Sequence, residues 1–474
     1  MHGAHAPAAP APPDAEERRP WSALAVLAVA QFMVILDVTV VNVALPSIGA
    51  ALDVAAAGLP WVVTAYVLVT GALMLLGGRV TDRLGRRPVF LAGLGLFTAA
   101  SLASGLAWSP AALIASRTVQ GLGAALLLPS ALALVTTTYH GRQRAVALGL
   151  WGTIGSAGAA AGMLVGGVLT ELLGWRWIFL VNVPVGLAAA AATLRLLPSA
   201  PPPAARGRLD LPGALTLLGG LAVALYAIET APGRGWGSAT TLALLGAGAG
   251  LLVAFALAER RGRDPLVPPA TWRARSLSAG AGLMLGGTGL LAGSFLLNTM
   301  FLQEVLDASA LETGLAFLPL ALVILAAAHV ASRILPAAGS RAVAGGGLAL
   351  IGAGSALLAL APGDAGYLRD LLPGFLALGA GAGLAFVGIS VTALADVAHE
   401  TAGLASGVMT TAHEVGAALG VGVLTAVALG AGGIAVGHER GSVAAAVIAA
   451  AFALIAVTAL PEVRPAPGTR PAMH

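Results

Sequence analysis

The chain has 474 residues, of which 58% are hydrophobic and only 10% are charged, and its formal net charge is +4. Because soluble domains carry roughly 25% charged residues, this composition excludes a soluble protein and indicates one that crosses a membrane many times. Cysteine and lysine are both absent, which excludes disulfides, thiolate metal centres and a P-loop nucleotide site. We therefore expect no metal, no cofactor and no nucleotide.

Apolar segments of about 20 residues or more recur along nearly the whole chain, and each is long enough to cross a ~30 Å hydrocarbon core as a helix. Fourteen spans are predicted, over residues 21–46, 59–79, 88–108, 111–136, 145–169, 176–197, 210–230, 239–259, 276–301, 313–335, 341–361, 371–393, 403–429 and 441–460. A β-barrel would show short alternating segments instead. The predicted fold class is therefore an all-α polytopic membrane protein.

The arginines indicate how these helices are oriented. If the amino terminus is cytoplasmic, twenty of the twenty-five arginines lie on the cytoplasmic side, which is a strong positive-inside bias. We expect both termini in the cytoplasm, with residues 1–20 and 461–474 as short tails and the first span retained rather than cleaved. The same bias explains the excess of basic residues without a nucleic-acid partner.

The loops divide the chain into parts. A Pro- and Arg-rich stretch at residues 198–208 follows the first six spans. We predict an amino-terminal six-helix bundle over 21–197, a linker with two additional helices over 198–275, and a carboxy-terminal six-helix bundle over 276–460. Duplicated bundles of this kind carry a substrate between them at a site near the midplane of the membrane.

Two charged residues lie inside predicted spans, Asp37 in the first and Arg117 in the fourth. Both are ~9–14 Å below the outer edge at 1.5 Å per residue, so they can meet directly, through water or through Gln120. Charges in hydrocarbon cost roughly 3 to more than 10 kcal/mol, so they persist mainly where they pair or face water. The alternative for Arg117 is a side chain that reaches the outer headgroups. Our hypothesis is that movement relative to Arg117 switches Asp37 between binding and releasing a proton.

A third buried charge is Glu414, which lies about 16 Å deep in the thirteenth span beside His413. Glu414 either carries a proton, attracts a cationic substrate, or makes a structural hydrogen bond with His413 or a neighbouring helix. Glu229 and His329 lie nearer helix ends, where solvated roles are expected. Candidates for lining a substrate cavity are Gln31, Met33, Asn42, Gln120, Asn298 and His413, although apolar residues in such helices usually face lipid or core.

The loop after the second span carries a conspicuous motif, Gly78-Arg79-Val80-Thr81-Asp82-Arg83-Leu84-Gly85-Arg86-Arg87. It resembles the signature between helices two and three of the major facilitator superfamily and departs from it only at Val80, where leucine is usual. The alternative is a generic arginine loop that only sets topology. The resemblance implies a latch that holds two bundles together in the outward-facing state, formed by Gly78, Asp82, Arg83, Gly85, Arg86 and Arg87.

Three further motifs make the resemblance more specific, to one family of antiporters. Residues 36–46 resemble the first-helix signature of the fourteen-helix drug:proton antiporters, and Leu113, Arg117, Gln120 and Gly121 match their fourth-helix motif. The fifth span has every glycine of the antiporter motif, at Gly149, Gly158, Gly162, Gly166 and Gly167, but Met163 replaces its usual proline. Glycines four apart line one helix face and let another backbone approach closely. The motif is therefore a packing surface or a direct part of transport. Both roles are compatible, because close packing between the bundles also closes a leak path for protons.

These observations and the resemblance together predict a proton-coupled antiporter that exports lipophilic or cationic compounds by alternating access. Its expected partners are a small molecule, protons and the lipid bilayer of a bacterial cytoplasmic membrane, and we expect a monomer. One alternative is the export of an endogenous metabolite such as an antibiotic or a siderophore. Another is a receptor without transport, which does not require a protonatable carboxylate opposite Arg117. An enzyme is not expected, because no catalytic grouping or soluble domain is evident.

Overall fold

A computed structural model of the chain describes residues 21–54, 58–197, 209–262, 264–269, 271–397 and 401–463. Every regular element in these ranges is helical, and they contain no strand. The predicted linker at 198–208, the amino-terminal tail and residues 464–474 lie outside the described residues.

Fourteen helices follow one another in the described ranges. They are α1 (Trp21–Leu52), α2 (Pro60–Leu84), α3 (Arg86–Gly105), α4 (Pro110–Thr138), α5 (Gly141–Leu173), α6 (Trp177–Leu196), α7 (Leu211–Arg234), α8 (Ala239–Arg261), α9 (Arg275–Glu304), α10 (Ala310–Ala338), α11 (Ser340–Ala359), α12 (Tyr367–Leu394), α13 (Ala402–Leu429) and α14 (Ile434–Ala459). Two of them are irregular, because α6 is interrupted at Val181 and α12 begins with a π-helical turn over Tyr367–Leu371.

Thirteen of these helices are long and apolar enough to cross a membrane, as judged on the described residues. The other, α5, has 33 residues, and its rise of ~50 Å exceeds the thickness of a hydrocarbon core. A helix therefore lies at each predicted span, and the all-α membrane fold is confirmed. The largest difference in bounds is at the last helix, which begins at Ile434 rather than at residue 441.

The helices form two sets that pack mainly within themselves. In the first helical set, α1–α6, α4 packs against α2 and α3, and α1 packs against α5. In the second helical set, α9–α14, α11 packs against α12 and α14, and α9 packs against α13. The two sets meet along α2 with α13 and along α5 with α10.

Small residues allow the closest of these approaches. A Cβ added to Gly293 of α9 would lie 2.6 Å from the carbonyl oxygen of Gly420 in α13. Such a contact is too short for any larger residue, so glycine is what lets the two backbones touch. Close backbone approach compensates for the weak hydrophobic driving force between helices in lipid.

Of the two additional helices, α7 is integrated into the molecule, whereas α8 packs against α7. Helix α7 packs against α8 and also against both α2 and α13, so it lies across the junction between the two helical sets. Its first turn is fixed by Asp210, whose Oδ1 accepts a hydrogen bond from the Gly213 amide at 2.9 Å. This side-chain cap satisfies one of the free amides at the helix start.

Two hydrogen bonds join the helical sets at one end of the molecule, here termed the closed end. There, Gln303 Nε2 donates to the Val43 carbonyl oxygen at 2.9 Å. The amide of Leu311 donates to Glu171 Oε2 at 3.3 Å. Gln303 and Glu171 lie in the last turns of α9 and α5, respectively.

Candidate functional site

Asp37 and Arg117 are in direct contact in the interior of the first helical set. Arg117 Nη1 donates to Asp37 Oδ2, and both side chains are 0% exposed. The structure thus places Arg117 inward, against Asp37, and not among lipid headgroups. An ion pair enclosed in this way keeps two charges in an apolar region that would expel either one alone.

Asp37 receives hydrogen bonds from two further side chains. Gln120 Nε2 donates to Oδ1 at 2.8 Å, and Asn182 Nδ2 donates to the same oxygen at 3.1 Å. With Arg117, these are donors from two helices, α4 and α6, converging on one carboxylate. Because all three side chains donate hydrogen bonds to the Asp37 carboxyl oxygens, the arrangement suits the ionised form of Asp37.

Arg117 is held by a second group of contacts. Its Nε donates to the Val62 carbonyl oxygen at 3.0 Å, and its Nη1 donates to Gln120 Oε1 at 2.7 Å. The guanidinium carbon lies 4.2 Å from the ring centroid of Tyr66 and 5.5 Å from that of Phe179, within the range of cation–π attraction. Helices α2, α4 and α6 therefore fix this cation in position.

Three members of the network were not predicted from the sequence: Asn182, Tyr66 and Ser101, which accepts a hydrogen bond from Gln120 Nε2 at 2.8 Å. Asn182 directly follows the interruption of α6 at Val181 and is only 2% exposed. Its signal in the sequence was a lone amide inside an apolar span, two residues before Pro184. A hydroxyl such as Ser101 gives no comparable signal.

Glu414 lies outside this network. It is on α13, where its Cβ faces Gly71 of α2, and His413 Nδ1 lies 3.6 Å from Glu414 Oε1. The side chain of Glu414 is 17% exposed and that of His413 is 43% exposed. The structure therefore brings Glu414 to the junction of the two helical sets and beside His413, but not to Asp37.

The cavity candidates of the first helical set are packed among helices in this conformation. Met33 is 3% exposed and belongs to the hydrophobic core. The side-chain amide of Gln31 is oriented so that its oxygen and its nitrogen both form hydrogen bonds. The oxygen accepts from Trp151 Nε1 at 3.1 Å, and the nitrogen donates to the Trp151 carbonyl oxygen at 3.2 Å. Asn42 Nδ2 donates to the Val38 carbonyl oxygen at 3.0 Å.

Of the two cavity candidates in the second helical set, Asn298 is also enclosed, whereas His413 is partly exposed. Asn298 Nδ2 donates to the Ser294 carbonyl oxygen at 2.7 Å, and Asn298 Oδ1 lies 3.1 Å from His438 Nε2. The His438 ring stacks on Phe301, with centroids 4.1 Å apart. Because the sequence prediction began the last helix at residue 441, it placed His438 in a loop, where the structure shows a buried side chain.

The motif between α2 and α3 forms a sharp turn at Gly85, whose φ of 95° favours glycine. Arg79 donates to the Pro265 carbonyl oxygen at 2.6 Å, and Arg87 donates to the Leu194 carbonyl oxygen at 2.9 Å. Arg79 thus ties this loop to the segment before α9. The role of Gly78, Asp82, Arg83, Gly85, Arg86 and Arg87 as a latch stays a prediction.

The glycine motif of α5 packs mainly against α1. Added Cβ atoms at Gly158, Gly162 and Gly166 would all contact α1, and the last would lie 2.9 Å from Val40 Cα. Only Gly167 faces the second helical set, where its Cβ would lie 2.6 Å from the Ala310 carbonyl oxygen.

The glycines therefore join helices mostly within one set, rather than only between the two bundles. At Gly149, an added Cβ would meet no atom within 4 Å. With Met163 in place of the usual proline, α5 runs without interruption from Gly141 to Leu173.

The sequence profile described as the Major Facilitator Superfamily matches residues 27–421. The chain belongs to the major facilitator superfamily. As a member of this superfamily it is a transporter and a multi-pass membrane protein.

Several superfamily relatives are named for antibiotics. The chain is 44% identical to a puromycin resistance protein of Streptomyces alboniger, over 87% of this chain and 82% of the relative. It is 39% identical to a cephamycin export protein of Amycolatopsis lactamdurans, over 86% and 84% of the two chains. A tetracenomycin C resistance and export protein of Streptomyces glaucescens is 34% identical, over 86% and 75%.

Proposed function

We propose that this transporter is a proton-coupled antiporter that exports an antibiotic-like lipophilic compound across the bacterial cytoplasmic membrane by alternating access. The observation that carries the proposal is the Asp37–Arg117 pair, fully buried and surrounded by donors. A receptor that transports nothing has no need for an ion pair at this cost. The names of the relatives support the substrate class.

Coupling follows from the opposite behaviour of the two charges. The guanidinium of Arg117 stays charged at every relevant pH, whereas Asp37 exchanges a proton. In the described conformation the donors hold Asp37 as a carboxylate. If α1 moves away from α4 and α6, Asp37 loses its counter-charge in an apolar region, and binding a proton becomes favourable. Protonation is thereby linked to the rearrangement of the first helical set.

The energy available is sufficient for export. A membrane potential of roughly 100 mV supplies about 2.3 kcal/mol for each charge moved, and each pH unit adds about 1.4 kcal/mol. One proton entering the cell can therefore sustain a gradient of the exported compound of several-hundred-fold. No ATP and no chemical change of the compound are required.

We also propose that both termini are cytoplasmic, because the arginines are concentrated on that side. The closed end, with the Gln303 contact to Val43 and the Glu171 contact to Leu311, is then the external end. In this orientation Asp37 is shielded from the external solution.

A second candidate is a dedicated exporter of one compound made by the same cell. The observation that favours it is that each of the three relatives above is named for a single antibiotic. A broad substrate range and a single metabolite are separated by a susceptibility and uptake screen across chemically varied antibiotics. Protection against only one compound class would favour the dedicated exporter.

The proposal is tested with inverted membrane vesicles, energised by a proton gradient and supplied with puromycin as the probe. Accumulation by the wild-type protein is expected to stop when a protonophore is added. Asp37→Asn is expected to lower gradient-driven accumulation by at least about tenfold, which corresponds to about 1.4 kcal/mol of lost driving force.

The matched control is Asp53→Asn, which removes an exposed carboxylate. The backbone there has a φ of 51°, a conformation that asparagine also tolerates. This control is expected to pump normally. Undiminished, protonophore-sensitive accumulation in Asp37→Asn would contradict the proposed coupling site. If puromycin is not transported, the same comparison is made with the compound that the screen identifies.

A further inference from the structure

A second carboxyl group is buried at the junction of the two helical sets. Glu229 of α7 is only 4% exposed, whereas the sequence favoured a solvated role near a helix end. Thr64 Oγ1 of α2 donates to Glu229 Oε1 at 3.5 Å. On the other side, a Cβ added to Gly422 of α13 would lie 3.4 Å from the same oxygen. Glu229 is thus enclosed by one helix from each set.

Among the residues that the structure describes, Glu229 has no counter-charge, in contrast to Asp37. None of the ion pairs in the described ranges includes it, and its Oε2 has no hydrogen-bond partner there. Within the described part of the chain, the polar side chains that face its carboxyl are those of Thr64 and Trp61, both on α2. A carboxylate left without a cation in an apolar region is costly, so Glu229 is held as the neutral acid in this conformation.

The other ionisable groups of the surrounding helices either contact other partners or lie away from Glu229 along their helices. On α7, Arg234 Nη2 donates to the Tyr226 hydroxyl at 3.0 Å, and its Nη1 donates to Thr230. On α2, Tyr66 lies against Arg117. The remaining groups lie further along their helices: Glu414 and His413 on α13, Arg79, Asp82 and Arg83 on α2, and Glu259, Arg260 and Arg261 on α8.

Opening of the closed end changes these surroundings. Because α2 belongs to the first helical set and α13 to the second, separation of the two sets withdraws one wall from Glu229 and admits water. Aqueous solvation favours the ionised carboxylate that the closed junction excludes. The state of Glu229 therefore depends on the same movement that alternating access requires.

We propose that Glu229 is a second proton-binding site of this transporter, located on the additional helix α7. It holds a proton while α2 and α13 enclose it. When they separate, the O–H bond of the acid breaks, its electron pair stays on the carboxylate and the proton passes to water. The part that this site takes in transport rests on the proposed function. In the described conformation Asp37 is then ionised and Glu229 is protonated.

The absence of cysteine makes a single introduced thiol a clean reporter of the junction. Thr425 of α13 lies one turn beyond Gly422 on the same face. It is 4% exposed, and its hydroxyl has no hydrogen-bond partner among the described residues. Thr425→Cys, which conserves side-chain volume, is introduced into the full chain, and labelling by a water-soluble maleimide is measured in detergent from about pH 6 to about pH 9.

The labelling rate is divided by that of an exposed control thiol, which removes the effect of thiol ionisation. The corrected rate is expected to rise by at least about tenfold over this pH range. To separate the two acids, the measurement is made in an Asp37→Asn background. Adding Glu229→Gln, which mimics the protonated acid, is expected to abolish the rise. Adding Glu439→Gln, which alters an exposed carboxylate, is expected to leave it intact.

The proposal would be overturned if the labelling rate still rose with pH after Glu229→Gln was added. It would also be overturned if the rate did not rise in the Asp37→Asn background with Glu229 intact. Folding is checked by size-exclusion elution. If the glutamine variant does not fold, Glu229→Asp replaces it: a displaced midpoint of the labelling curve supports the proposal, and an unchanged midpoint overturns it. This assay uses neither substrate nor gradient. Failure of gradient-driven accumulation in vesicles therefore overturns the proposed function separately.

Discussion

The interiors of the two helical sets differ in electrostatic character. In the first set, Asp37 and Arg117 form an enclosed ion pair with amide and aromatic partners. In the second set, the corresponding buried polar contact joins two neutral groups, Asn298 and His438, at 3.1 Å. The comparison indicates that the fully buried ion pair lies in one half of the molecule. The other half offers a junction surface with Glu414 and His413.

This difference predicts a graded response to substitution. A charge left alone in an apolar interior costs several kcal/mol, whereas a neutral polar group left alone costs about 1–3 kcal/mol. When both partners of a neutral pair are replaced by apolar groups of similar shape, the change is nearly neutral. Three sets of variants therefore distinguish the two interiors.

The largest effect is expected for Arg117→Leu, because Asp37 would remain buried without its counter-charge. We expect a loss of about 3–5 kcal/mol in the free energy of unfolding, measured by denaturant titration of the purified protein in detergent. Arg117→Lys is the matched comparison. It keeps the charge but loses the forked contacts to Val62 and Gln120, so an intermediate loss is expected. A leucine variant as stable as the wild type would contradict the enclosed ion pair.

A smaller effect is expected for Asn182→Leu, which removes one donor from the Asp37 carboxylate. Hydrogen bonds to charged groups contribute about 1.5–3 kcal/mol, and the same unfolding measurement applies. Asn42→Leu serves as the control, since the Asn42 amide bonds only the Val38 carbonyl of its own helix among the described residues. If both variants lose equally little, Asn182 is not a support of Asp37.

The smallest effect is expected for the double variant Asn298→Leu with His438→Phe. Both members of a neutral pair are replaced by apolar side chains, so the free energy of unfolding is expected to change by less than about 1 kcal/mol. Gradient-driven accumulation of puromycin is expected to continue. The single variant Asn298→Leu should cost more than the double variant, because it leaves the His438 ring nitrogen unpaired. Loss of transport in the double variant would place a functional group in the second set.

Much of the fold was predictable because the membrane itself imposes it. A hydrocarbon core requires about 20 apolar residues for each crossing, whatever the helix packs against, and the predicted spans accordingly coincide with α1–α14. The start of α14 was misplaced because His438, Glu439 and Arg440 interrupt the hydropathy. The structure extends the helix back to Ile434, since His438 is buried against Phe301 and Asn298.

The candidate site was predictable only in part. The common depth of Asp37 and Arg117 followed from the fixed rise of a helix, and Gln120 followed from its place one turn from Arg117. The contributions of Ser101, Tyr66 and Asn182 depend on how α2, α3 and α6 are rotated about their axes. Pairing of neighbouring helices sets that rotation, and a single sequence does not encode it in any local pattern.

The sequence by itself determined the medium and the approximate position of each long apolar helix, because transfer of apolar and charged groups between water and lipid depends on residue type and spacing alone. The tertiary structure decided which charges have partners. Asp37 and Glu229 are both acids in apolar helices, yet one lies against a guanidinium and the other between two uncharged helix faces. That difference arises from the position of α7 between α2 and α13, since electrostatic interactions depend on distances across helices far apart in the chain.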